Sequence, residues 1–167
     1  EEGELHSMVI DRLVEVKLGG NAEMGLEHIE ASSKGMIAIL DAAASGGLFA
    51  SERVIVVHNA DSLSTPAGSP ELKELQKYLS NPDPSLALVF SAPSVNKAKH
   101  PFKLLAKETQ LVECNQLKGK PLRDWVVKFV RERGYSFSGH SLDLAMELLG
   151  NDMLLIRNAM EKVMLYC

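Results

Sequence analysis

The stretch RVIVVHNAD, residues 53–61, decides the fold. Four consecutive β-branched apolar residues, 54–57, follow Arg53 and lead into His58 and Asn59. A strand that is apolar on both faces is typical of a parallel sheet with helices packed on its two sides. The sequence therefore predicts an α/β domain built around this strand.

Three other segments have the composition of strands in the same sheet. Residues 26–31 alternate apolar and polar side chains, which indicates a strand nearer an edge, and residues 86–90 are continuously apolar. Residues 110–114 are predicted as a further strand. Amphipathic helices are predicted between and around these strands at residues 4–18, 34–45, 72–79 and 102–107. This order predicts right-handed crossovers in a parallel sheet.

The chain changes character after residue 117. The predicted strands cease there, and three amphipathic helices follow at residues 122–133, 141–149 and 153–166. We therefore expect two domains, an α/β domain over residues 1–117 and a three-helix domain over residues 118–167.

Composition favours a cytoplasmic globular protein with no membrane partner. The 167 residues carry a formal net charge of −4, which weakens any grip of this chain alone on nucleic acid phosphates. No apolar run approaches the roughly 20 residues of a membrane span, and the acidic start differs from that of a secretory signal peptide. Cys114 and Cys167 lack the spacing of a metal site, so we expect reduced thiols.

The end of the central strand argues against catalysis. Nucleotide hydrolases of the P-loop and AAA+ types place acidic residues there to hold magnesium and orient water, whereas this chain has His58 and Asn59. The sequence also lacks the G-x-x-x-x-G-K-[ST] phosphate loop and the G-x-S-x-G nucleophile motif. Its five histidines have no metal-ligand spacing. We therefore expect no catalytic residue, no cofactor and no metal ion.

Two sets of residues are candidates for partner contacts. Leu48 and Phe49 follow a helix-stopping Gly-Gly pair and precede the central strand, where an exposed apolar pair would form a partner surface. Apolar pairs beside strands also commonly belong to the core, so the residues alone leave both interpretations open. Lys97, Lys99 and Lys103 form a small basic cluster, which is either solvated or in contact with DNA or a neighbouring subunit.

Taken together, these segments resemble the delta subunit of the bacterial DNA polymerase III clamp loader, an AAA+-like family whose members have lost ATP hydrolysis. The residues that carry the resemblance are LFASER at 48–53, the central strand with Asn59-Ala60-Asp61, YLSNP at 78–82, VEC at 112–114, Trp125, GND at 150–152, Asn158, Glu161 and Lys162. The resemblance implies an AAA+-like (P-loop NTPase-like) α/β domain without a nucleotide-binding loop over residues 1–117. It implies a small helical lid-like domain over residues 118–167.

The resemblance also implies the function. Family members insert a Leu-Phe pair, matched here by Leu48 and Phe49, into a hydrophobic pocket of the ring-shaped sliding clamp, the beta subunit. Burial of each side chain is worth about 1.5 to 3 kcal/mol, enough to bias a marginal ring interface towards opening. The implied partners are the sliding clamp, the other clamp-loader subunits and, through the complex, primed DNA. Enzymatic activity would belong to the DNA-directed DNA polymerase holoenzyme and not to this chain.

Two departures from the family pattern accompany the resemblance. Clamp-binding peptides usually carry a Gln five residues before the Phe, where this chain has Ala44. Family members also have a first strand and a third, helical oligomerisation domain that are not found here, so we expect a fragment comprising two domains.

Two alternatives stay open: a P-loop-type nucleotide-dependent enzyme with a degenerate or missing phosphate loop, and an α/β module that binds another protein through its acidic first helix. Trp125 is expected in the helical core and Arg157 at a surface or between domains.

Overall fold

Residues 3–19, 22–46 and 51–166 are described by the computed structural model. The chain divides into two units. One is His6–Glu113, and the other combines Glu1–Leu5 with Cys114–Cys167. The predicted domain boundary between residues 117 and 118 stays a prediction.

A parallel sheet forms the centre of the first unit. Within the described residues it has three strands in the order β1 (Leu26–Glu30), β2 (Arg53–His58) and β3 (Leu86–Phe90). All four apolar residues in the middle of β2 are fully buried. The interpretation of this stretch as a strand covered on both faces is therefore confirmed, and each neighbouring strand pairs with it in parallel.

Helices flank the sheet along the chain. They are α1 (Gly3–Leu18), α2 (Ala22–Gly25), α3 (Ala31–Ala44), α4 (Pro70–Ser80) and α5 (Phe102–Glu108). Helix α4 begins where the sequence favours a start, because the Ser69 hydroxyl accepts a hydrogen bond from the Leu72 N–H at 3.3 Å and Pro70 occupies the first turn. Inside α3, Gly35 has a φ of 69°, which interrupts the regular helical backbone.

The two faces of the sheet bury different helices. On one face, Val14 and Leu18 of α1 pack on Val54 and Val56. The opposite face belongs to a larger cluster that combines residues of β2 with residues of α3, α4 and α5. Alternate residues of β2 thus point to opposite faces, as the two-residue repeat of a strand requires.

The predicted strand over residues 110–114 is wrong. The described backbone from residue 110 to residue 118 has no regular secondary structure. Leu111 and Val112 are 48% and 54% exposed, so neither side chain is buried in a core. A strand also needs a hydrogen-bonded neighbour, and among the described strands β3 pairs only with β2.

The second unit contains the three predicted helices. They are α6 (Lys120–Arg131), α7 (Gly139–Leu149) and α8 (Met153–Met164). Their shared core consists of Leu122, Val126, Phe129, Val130, Leu142, Met153, Ile156 and Met160. Trp125 packs against this core and stacks on Phe129 with ring centroids 5.2 Å apart. Arg157 is half-buried on α8, with its Nε 3.9 Å from a carboxylate oxygen of Glu161.

Candidate partner-binding site

The connection between α3 and β2 contains the predicted partner-binding pair. Leu48 and Phe49 lie outside the described residues, because the description stops at Gly46 and resumes at Ser51. The two flanks of the connection are described in full. Their contacts define how the fold holds the ends of this segment.

The upstream flank is the carboxyl end of α3. The Ser45 N–H donates to the Asp41 carbonyl at 2.9 Å, and the Ser45 hydroxyl donates to the Ala42 carbonyl at 2.9 Å. The last carbonyls of a helix have no partner within the helix and carry partial negative charge. The end of α3 is therefore a place where a cation is favourable.

Arg53, the first residue of β2, supplies that cation. Its Nη1 donates to the Ser45 carbonyl at 2.5 Å and its Nη2 donates to the Ala42 carbonyl at 3.0 Å. The Glu27 carboxylate lies 3.6 Å from Nη2, and the Arg53 side chain is only 12% exposed. The described last turn of α3 has no basic residue of its own. One guanidinium thus joins the two ends of the connection.

The downstream flank has further ties. Glu52 pairs with Lys17 of α1 at 2.5 Å, and the same Lys17 ammonium donates to the Pro84 carbonyl at 3.1 Å. The Glu52 carbonyl passes so close to Gly25 that a Cβ on Gly25 would lie 2.8 Å from it. The Arg53 N–H donates to the Ser85 carbonyl at 2.9 Å. Residues 52 and 53 are therefore fixed against three other segments of the same unit.

Several polar side chains meet at the carboxyl edge of the sheet. Asn59 has left-handed backbone geometry, with a φ of 50°, and its side-chain N–H donates to a Glu30 carboxylate oxygen at 2.9 Å. His28 Nδ1 and His58 Nε2 lie 2.8 Å apart. No three His, Cys, Asp or Glu side chains within the described part of the chain are placed to hold a metal ion. The end of β2 carries His58 and Asn59, where P-loop and AAA+ hydrolases carry the carboxylates that hold magnesium.

The sequence analysis did not place Glu30 and His28 at this edge. It predicted their strand, but it did not predict the register of that strand against β2. That register places Glu30 opposite His58 and His28 opposite Val56. The alternation along residues 26–31 was the available signal, since it puts His28 and Glu30 on one face.

Ion pairing distinguishes one lysine of the predicted basic cluster from the other two within the described residues. Lys97 forms an ion pair with Glu113. Lys99 and Lys103 are exposed, and the Lys99 carbonyl accepts from the Lys103 N–H at 2.8 Å, which places the two residues one helical turn apart. The structure thus brings Lys99 and Lys103 onto one side of the start of α5.

Comparisons with known proteins agree with this architecture. The family model for the DNA polymerase III delta subunit matches residues 1–115. The solved structure of the Bacillus subtilis DNA clamp loader delta protein (YqeN) has a TM-score of 0.73 and 16% sequence identity, and the match covers 99% of this chain and 51% of that chain. This chain therefore spans about half the length of that relative. The likeness confirms the predicted AAA+-like α/β fold with its helical second part.

The comparison with curated protein sequences gave no match. None of the helices that the structure describes combines the length and the hydropathy needed to cross a bilayer.

Proposed function

Because this chain belongs to the DNA polymerase III delta subunit family, we propose that it is a clamp-loader subunit of the DNA replication machinery. In this role it binds the sliding clamp and helps to open the ring for loading onto primed DNA. The observation that carries the proposal is the family match over residues 1–115, which includes Leu48 and Phe49. The matched segment also includes both flanks of the α3–β2 connection.

The contact with the clamp is proposed to run through Leu48 and Phe49. Support comes from the flanks of this pair, which are tied to α3, α1 and the loop before β3 by Arg53 and Lys17. A short apolar anchor binds best when the scaffold that presents it is rigid. The two side chains together would bury enough apolar surface for about 3 to 6 kcal/mol before the costs of association.

The subunit is proposed to act without hydrolysing ATP. The end of β2 carries His58 and Asn59 where a hydrolase needs carboxylates for magnesium. The Glu30 carboxylate at the same edge accepts hydrogen bonds from Asn59 and from the Ser32 hydroxyl at 2.9 and 3.2 Å. This edge thus supports a subunit that depends on partner subunits for nucleotide hydrolysis.

Further partners complete the proposal. They are the other clamp-loader subunits and, through the assembled complex, primed DNA. The proposed compartment is the cytoplasm. Lys97, Lys99 and Lys103 are proposed as a contact with DNA or with a neighbouring subunit. Lys99 and Lys103 are the stronger candidates, because Glu113 offsets the charge of Lys97.

The test is the affinity of this chain for a bacterial sliding clamp, measured by surface plasmon resonance. The double variant Leu48→Ala/Phe49→Ala is expected to bind at least about tenfold more weakly, equivalent to 1.4 kcal/mol. Circular dichroism checks that the variant is folded. Leu144→Ala/Leu148→Ala is the matched control, because it removes two exposed leucines from α7 in the other unit. Unchanged affinity in the Leu48 and Phe49 variant would refute the contact.

A further inference from the structure

We propose that Arg53 is the positioning residue of the clamp-binding segment. Its guanidinium fixes the exit of α3 against the start of β2, and these are the two ends between which Leu48 and Phe49 lie. This inference rests on the proposed function, because it assigns a role in presenting that contact.

The contact geometry suits arginine. Two different nitrogens of one planar group reach two carbonyls of the last turn of α3, at 2.5 Å for Ser45 and 3.0 Å for Ala42. A guanidinium holds its donors in a fixed fork, whereas an ammonium is a single point charge on a flexible stem. The two bonds therefore fix the direction in which the chain leaves α3 as well as its distance from β2.

The backbone of Arg53, from which the side chain extends, is held in the sheet. The Arg53 N–H donates to the Ser85 carbonyl at 2.9 Å, and its Cα is in register with that of Leu86 on β3. The next residue, Val54, is fully buried in the centre of the sheet. Because Arg53 belongs to the central strand, its hydrogen bonds hold the end of α3 at a fixed position relative to the sheet.

Local charges agree with this role. The carboxyl end of a helix attracts cations, and the effect is strongest at the last turn. The Glu27 carboxylate, 3.6 Å from Nη2, offsets part of the charge that burial of the Arg53 side chain would otherwise leave uncompensated. Hydrogen bonds and partial charge compensation thus hold the guanidinium in one orientation.

Fixed ends matter for binding. Residues 46–52 lie between Ser45 and Arg53 in the sequence, and the guanidinium bonds the carbonyl of Ser45. A segment whose ends are already fixed has less conformational freedom to lose when its tip docks. The Lys17–Glu52 pair is a second tie at the downstream end. Without Arg53, the hydrogen bonds described at the upstream end are those of the Ser45 N–H and hydroxyl to carbonyls of α3.

The experiment compares three single variants in the same clamp-binding assay. Arg53→Ala is expected to bind the clamp about tenfold more weakly, and Arg53→Lys about threefold, because lysine can replace only part of the two-carbonyl contact. Arg12→Ala is the matched control, since the Arg12 side chain is 71% exposed and pairs with Glu15 one turn further along the same helix. It is expected to change the affinity by less than about twofold.

A second measurement separates positioning from general stabilisation. In the Leu48→Ala/Phe49→Ala background, Arg53→Ala is expected to cause no further loss of clamp affinity, because the segment that it positions no longer binds. Hydrogen exchange of the Ser45 amide, which bonds the Asp41 carbonyl, is expected to be at least about tenfold faster in folded Arg53→Ala than in the parent. If Arg53→Ala does not fold, Arg53→Lys is used for both measurements.

The outcomes distinguish the two proposals. Loss of affinity in the Leu48 and Phe49 variant, with parental affinity in Arg53→Ala, overturns the role of Arg53 and leaves the clamp contact standing. Equal losses from Arg53→Ala with and without the Leu48 and Phe49 changes also overturn it, since Arg53 would then act elsewhere. Parental affinity in the Leu48 and Phe49 variant overturns the clamp contact itself, and the role of Arg53 in that contact with it.

Discussion

Substitution of Gly25 by alanine is expected to lower the free energy of unfolding of the α/β unit by about 1 to 2 kcal/mol. A Cβ at Gly25 would lie 2.8 Å from the Glu52 carbonyl oxygen and 2.8 Å from Leu18 Cδ2. Leu18 is buried in the core beneath α1, and the Glu52 oxygen belongs to the backbone. Overpacking of this kind costs about 1 to 3 kcal/mol, and the smaller entropy of the unfolded alanine chain returns about 0.4 to 1 kcal/mol.

The same substitution is expected to affect the candidate site. The backbone at Glu52 has to move away from a new Cβ, and the Glu52 side chain pairs with Lys17 at 2.5 Å. Movement of Glu52 would disturb the downstream end of the segment that carries Leu48 and Phe49. Clamp affinity is therefore expected to fall together with stability.

Urea unfolding followed by circular dichroism measures the stability change. Gly139→Ala is the matched control, because a Cβ on Gly139 at the start of α7 would meet nothing within 4 Å. That control is expected to be neutral or to gain up to about 1 kcal/mol. Equal stability of the Gly25 and Gly139 variants would contradict the close packing inferred at Gly25.

Three other predictions concern the helical unit, the lysines and the acid side of the stability profile. Ile156→Ala is expected to cost about 2 to 5 kcal/mol, because the side chain is fully buried, and the fluorescence of Trp125 in the same unit should report the transition. Lys99→Ala/Lys103→Ala is expected to lower by about two the slope of log affinity against log salt for primed DNA bound by the assembled clamp loader. The pKa of Asp83 is held below its ordinary value of 3.8 by hydrogen bonds to its carboxylate, so its stabilisation is complete above pH 3.8 and is lost as the pH falls through the lowered pKa. Asp83→Asn should therefore flatten the loss of urea stability below pH 3.8.

Matched controls sharpen these three tests. Leu148→Ala, at a side chain that is 73% exposed, should change stability by less than about 0.5 kcal/mol, in contrast to the buried isoleucine. Lys97→Ala should change the salt slope less than Lys99→Ala or Lys103→Ala, because Lys97 pairs with Glu113. For Asp83, Ser85→Ala should weaken the same acid dependence, because it removes the hydroxyl donor at 2.7 Å and leaves the backbone N–H donor at 2.8 Å. An unchanged acid profile in both Asp83→Asn and Ser85→Ala would assign the acid sensitivity to other groups.

The central part of the fold was predictable because its signals are local. Residues 54–57 are apolar and β-branched, and a strand buried on both faces leaves few other arrangements. The helices of the second unit follow from their apolar periodicity, which the burial of Leu122, Val126 and Ile156 matches. In both cases the apolar or polar character of each residue, at its position in the repeat, predicts whether its side chain is buried.

The strand predicted at residues 110–114 failed because pairing is not local. Val112 and its neighbours have a suitable composition, but a strand also requires a neighbour with free backbone groups and a layer above it. Neither requirement is visible within five residues of sequence. In the structure, the side chains of Leu111 and Val112 are exposed and do not pack in a core.

The role of Arg53 could not be predicted for a related reason. From the sequence, Arg53 is a charged residue that marks the start of a buried strand. Its acceptors are the backbone carbonyls of Ala42 and Ser45, and a carbonyl carries no signal in the sequence because every residue has one. The close approach of Gly25 to the Glu52 carbonyl was invisible for the same reason.

The position of the candidate site on the sheet explains how binding and hydrolysis can be separated in one fold. Ligands of parallel α/β sheets bind at the carboxyl ends of the strands, where this chain has His58, Asn59 and an engaged Glu30. The connection that carries Leu48 and Phe49 enters β2 at the opposite, amino end, where Arg53 is placed. The contacts of Arg53 with Ser45, Ala42 and Glu27 involve none of the three residues at the carboxyl ends. The proposed partner contact and the edge at which related hydrolases hold magnesium thus belong to opposite ends of the same strand.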